Sequence, residues 1–168
     1  MNVLSRCAAA LATLAFSLAV SATELVVPKP VPFSEDNEIA GNIKRECDLG
    51  NKLAIYIGEF AQLKGIDVRF VDGDAPESAS RYLAIEIRDA VSMGNAFIGH
   101  RKSTSVRGKL YEGDEVIGSF RGRRDSMGGA FAGYKGSCSV LGRTVKALGK
   151  DIAEWLIAPS MDADIGDL

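Results

Sequence analysis

The sequence is poor in the residues on which most catalytic and metal-bound sites depend. It holds one histidine, His100, and three cysteines among 168 residues. A hydrolase with a histidine base would therefore have to use His100, with Ser103, Thr104 or Ser105 nearby in sequence. Neighbours on a strand point to opposite faces, so this proximity assembles no triad. Two cysteines and one distant histidine make no zinc ligand set. Phosphate-loop signatures are missing as well. In the glycine-rich run after Ser126, Tyr134 separates Gly133 from Lys135 and Gly136 separates Lys135 from Ser137, which breaks the G-x-x-x-x-G-K-[ST] spacing. Asp72 and Asp74 begin like a calcium loop, but the later oxygen ligands are absent. The expectation is a protein without cofactor or metal, and a hinge-like role for the glycines.

Long apolar runs are also scarce. Cys7 to Val20 is the one continuous stretch, shorter than the ~20 residues that span a bilayer. It follows a short basic start and leads to Val20-Ser21-Ala22, the small residues a signal peptidase needs, so residues 1–22 read as a signal peptide. A retained anchor is the rival reading; no basic stop-transfer flank follows. No cysteine follows the small residues, so no lipid is attached there. Cleavage leaves Cys47 and Cys138, an even pair in an oxidising compartment and hence a disulfide candidate; two merely buried thiols are the alternative. The location expected is periplasmic or secreted, without a stable membrane span after cleavage.

What is present reads as one domain of α+β type. Thr23 to Phe33 carries Pro28, Pro30 and Pro32 and predicts an extended arm, an edge strand or a loose tether. Ser34 offers an N-cap for a helix carrying Ile39, Ile43, Cys47, Ala54, Ile57, Phe60 and Ala61 on one stripe, closed by Gly65. Gly50 on that stripe marks close packing or a kink. Ile66 to Val71 and Tyr82 to Asp89 alternate as half-buried strands; Met93 to Arg101 is ambiguous. After the glycines, with Ser137 as N-cap, Cys138, Leu141, Val145, Leu148, Ile152 and Trp155 fall on one helical stripe that ends before Pro159. Both cysteines thus face a core. Residues 34–158 form the domain, and 159–168, with Asp162, Asp164 and Asp167, read as a disordered acidic tail. The expected fold is a mostly antiparallel sheet with two amphipathic helices on its one apolar face.

The formal charge of −2 hides an asymmetry. From His100 to Lys150 eleven basic residues stand against four acids, a local charge of +7. Much of it lies in a hairpin, Ser103–Tyr111 and Val116–Arg124, turning at Glu112-Gly113-Asp114-Glu115. If Val106, Leu110, Val116 and Phe120 face the helices, opposed residues must have numbers of even sum, such as 110 and 118. A symmetric turn at Gly113-Asp114 gives an odd sum. The hairpin therefore needs a bulge or an odd turn, with Gly113 at positive φ. Arg107, Lys109, Arg121 and Arg123 then share the outer face as a candidate anion-binding patch, or simply form its solvated surface. Aromatics that would stack bases are not interleaved there, so nucleic acid is not the expected partner.

The hairpin SVRGKLYEGDEVIGSFRGRRDS, the glycine-rich GGAFAGYKGS and the terminal DIAEWL resemble the bacterial envelope family called domain of unknown function 4410, over roughly Ile66 to Leu156. The resemblance implies an exported protein of mixed α/β build without assigned catalytic residues. This chain lacks the acylated cysteine of the lipoprotein members. The function expected is that of a non-enzymatic envelope protein acting as a binding or assembly module, its partner an envelope protein or an anionic polymer. An anion-binding module on the basic hairpin face is the alternative, and a small hydrolase centred on His100 the lesser one.

Overall fold

Two strand–helix–strand crossovers flank a long antiparallel meander. The computed structural model describes residues 24–73, 79–92, 102–126 and 136–168. The signal segment, Asp74, His100 and the glycines from Gly128 to Gly133 lie outside the described residues. Strands β1 (Leu25–Pro28), β2 (Val68–Val71), β3 (Arg81–Ser92), β4 (Lys102–Glu112), β5 (Glu115–Ser126) and β6 (Ala163–Gly166) form one sheet in the order β2-β1-β3-β4-β5-β6. The β3–β4 and β4–β5 ladders are antiparallel and long, whereas β1 runs parallel to both β2 and β3, and β5 parallel to β6. Parallel neighbours require a crossover. Helices α1 (Gly41–Glu46) and α2 (Leu49–Gln62) supply it between β1 and β2, and α3 (Ser137–Trp155) between β5 and β6.

The core lies between the helices and one sheet face, as the alternation of the strands requires. Leu83, Ile85 and Ile87 from β3, Val106 and Leu110 from β4 and Phe120 from β5 meet Leu141, Val145, Leu148 and Ile152 of α3 in one cluster. The hairpin bears out the parity argument. Leu110 opposes Gly118 and Phe120 opposes Gly108; a bulge then shifts the register, so that Tyr111 opposes Val116 around the two-residue turn. Gly113 takes φ 58°. The bulge has a consequence for Val116, which was assigned to the core face. It lies beyond the register shift, beside Tyr111, and Ile117 packs against the core instead.

Four further expectations are corrected. The proline-bearing arm is no edge or tether: Leu25 to Pro28 is an interior strand with all four residues buried. Its prolines do not obstruct this, because Pro28 ends the strand and the N–H groups of Lys29 and Val31 still bond to Val71 and Gly50. The first helix is two helices. Asp48 takes a left-handed conformation (φ 51°, ψ 42°) between them, and Ser34 bonds to Ile87 of the sheet rather than capping a helix. Gly50 does mark close packing, since a Cβ there would lie 2.5 Å from the Val31 carbonyl oxygen. Ser137 is the first residue of α3 and Gly136 its N-cap. The acidic tail is not disordered. It forms β6, in which Ala163 and Ile165 alternate with Asp164 as a strand requires.

The two cysteines meet as a disulfide, with S–S 2.02 Å and Cα–Cα 4.7 Å. It ties the end of α1 to the first turn of α3. Among the described residues no helix is long and apolar enough to cross a membrane.

Candidate functional site

The helices cover one face of the sheet and leave the other open over β3, β4 and β5. Register brings three rows of side chains together on that open face. Tyr82 opposes Tyr111; Ala84 opposes Lys109, which opposes Ser119; Glu86 opposes Arg107, which opposes Arg121. The middle row is low because Ala84 and Ser119 are short, and the rows on either side are tall. The result is an open depression of about 820 Å³, closed at its sides by Pro32 and Asp162. That volume lies in the range of small-molecule clefts, about 300–1,000 Å³.

The four cations of the hairpin do share the outer face, but three of them carry carboxylate partners. Arg107 Nε lies 2.5 Å from Glu86 Oε1, Arg121 binds Asp164 through two nitrogens at 2.5 and 3.1 Å, and Arg123 Nη2 lies 3.2 Å from Asp125. The Arg121 hydrogen bonds hold the Asp164 carboxyl below its ordinary range, and Asp164 in turn raises Arg121. Both ends of this pair therefore stay ionised at neutral pH. Lys109 is different: among the described residues it has no ion pair. Among the described residues, then, Lys109 is the member of the four without an ion pair, beside three paired arginines.

Asp162, just before β6, borders the depression on its β5 side. Ser119 Oγ donates to Asp162 Oδ1 at 3.0 Å and accepts from the Asp162 N–H at 2.8 Å. Asp167 bonds the Asp125 N–H and Arg124, and Arg124 also grips Asp151 of α3 with two bonds of 2.7 Å. Each acid of the tail therefore has a partner on β5. Sequence reasoning treated these acids as a solvated tail and so overcounted the free positive charge. The alternation of Ala163 and Ile165 about Asp164 was the available signal. No group of three or more His, Cys, Asp or Glu side chains suited to a metal occurs among the described residues.

No protein-family model matches the chain, and no curated protein does. Solved structures do. A Xanthomonas campestris protein of the DUF330 family is 14% identical, with 80% of this chain and 83% of that one covered and a TM-score of 0.55. A hypothetical protein from Chlamydia trachomatis is 13% identical, with 80% and 96% covered and a TM-score of 0.51. A minor lipoprotein from Acinetobacter baumannii is 10% identical, with 82% and 94% covered and a TM-score of 0.45. At these identities the likeness to the first two is one of fold: a mixed α+β sheet with helices on one face.

Proposed function

We propose that this is an exported protein of the bacterial envelope that acts without catalysis, as a binding or assembly module, and that its ligand lies on the open sheet face. The signal-like residues 1–22 and the Cys47–Cys138 disulfide support an oxidising, extracytoplasmic setting. Membership in the domain of unknown function 4410 family belongs to the same proposal and rests on the hairpin and glycine-rich motifs. The observation that carries the binding role is the depression over Ala84 and Ser119, lined by Lys109, which has no ion pair among the described residues. Such a site favours a partner bearing one carboxylate or phosphate group, while the neutralised arginines around it supply hydrogen-bonding edges rather than net charge. The anion-binding reading of the hairpin is kept in this narrower form, with Lys109 as anchor and Arg107, Arg121 and Arg123 as its surround.

A photoreactive side chain at Ala84, expressed in intact cells, tests this. The reading expects crosslinks to an acidic envelope component, with the captured protein starting at Thr23. Crosslinks that appear equally from Glu59 on the outer side of α2, or a captured chain still beginning at Met1, would reject it.

A further inference from the structure

The charges that line the depression do not all cancel. Glu86 is met by Arg107, and Arg121 by Asp164. Two lining residues are left over, Lys109 and Asp162, and they are of opposite sign. Among the described residues neither enters an ion pair, with the other or with a third group. Asp162 differs in this from the acids that follow it. Asp164 is held by Arg121 and Asp167 by Arg124, whereas the Asp162 carboxylate meets only the Ser119 hydroxyl.

Register and backbone fix where these two groups stand. Lys109 and Ser119 are neighbours across β4 and β5. Ser119 Oγ donates to Asp162 Oδ1 at 3.0 Å and accepts from the Asp162 N–H at 2.8 Å, while the Ser119 N–H donates to the Ser160 carbonyl. Asp162 takes φ 53°, a conformation that aspartate and asparagine tolerate better than most side chains. An ammonium and a carboxylate thus flank one serine without closing into a pair. A purely anionic group would satisfy Lys109 but would bring like charge beside Asp162. A group carrying both signs is complementary to both.

We propose that the depression binds a zwitterionic group, an ammonium and a carboxylate carried on one carbon, as in an amino acid or an amino-acid unit of a larger component. The proposal rests on the reading of the open face as a ligand site and narrows it. Lys109 takes the carboxylate, Asp162 takes the ammonium, and Ser119 holds Asp162 in position between them. The span across one serine suits charges on a single carbon better than the wider spacing of an ethanolamine phosphodiester.

The test uses the oxidised mature chain with four probes at matched ionic strength: alanine, N-acetylalanine, alaninamide and glycerophosphoethanolamine. Binding is read from the backbone amide shifts of Lys109, Ser119 and Asp162. Alanine is expected to bind at least about tenfold more tightly than either of its singly charged forms, the scale of one charge-assisted hydrogen bond. Asp162→Asn, which the left-handed backbone accepts, should bring alanine down to the level of N-acetylalanine. Lys109→Met should weaken alanine and N-acetylalanine alike. Alanine and N-acetylalanine binding equally, and both through Lys109, would overturn the zwitterion and leave the open face standing as an anion site. Tighter binding of glycerophosphoethanolamine than of alanine would overturn the amino-acid assignment. Shifts absent with every probe would also reject the proposal, while crosslinking from Ala84 decides separately whether the open face holds a ligand.

Discussion

Lys109 sits between Ala84 and Ser119, two side chains that cannot compensate its charge, whereas Arg107 and Arg121 one row away are each met by a carboxylate. The difference lies in which residues stand opposite, and register decides that. The sequence shows the cations but not their cross-strand partners, because Glu86 and Asp164 are 21 and 43 positions from the arginines they neutralise. The same limit hid a buried polar contact. Thr104 and Thr144 meet at 2.7 Å between β4 and α3, and the Thr144 hydroxyl is donated to the Leu141 carbonyl, so Thr104 donates to Thr144. Nothing in the local pattern of either residue announces this. Thr104→Val keeps the shape and removes the donor; it should cost about 1 kcal/mol, read by urea unfolding with an unchanged slope.

At the level of elements, the patterns carried by period were readable and those carried by partners were not. The α3 stripe from Leu141 to Ile152 is buried as its spacing requires, and parity called for a bulge or an odd turn, of which the hairpin has the bulge. The break at Asp48 was not visible, since an apolar stripe continues across it. Glycine space was not visible either: Gly118 and Gly108 leave room for the rings of Trp155 and Phe120, which pack edge to face at 4.8 Å. Only the fold says which rings come near. β6 gives the pH-dependent prediction. The Asp164 carboxyl lies below its ordinary value of 3.8 in the folded chain, so the Arg121–Asp164 contribution is fully present above that value and is lost as pH falls below it. Hydrogen exchange of the Asp164 and Ile165 amides should rise as pH is lowered into that window, beyond the intrinsic rate change and earlier than exchange in β3. Asp164→Asn should remove the difference between the two strands' pH profiles.

At the level of the molecule, the disulfide links two helices that pack on the same sheet face across 91 residues of chain. In the chain-entropy model such a loop is worth about 4.6 kcal/mol, so Cys47→Ala with Cys138→Ala should lower the unfolding free energy by up to that amount while keeping the secondary-structure spectrum. The fold class and the cysteine pair were legible because each rests on the apolar stripes of single elements. The open depression was not, because it needs the register of β3, β4 and β5 and the placing of Pro32 and Asp162, the latter in a tail read as disordered. The account stands most directly on Lys109. The component captured from the open face should be titrated against wild-type protein and Lys109→Glu at rising salt. Binding is predicted to weaken with salt and to fall by at least about tenfold in the variant, with thermal stability unchanged. Binding indifferent to both the substitution and the salt would contradict it.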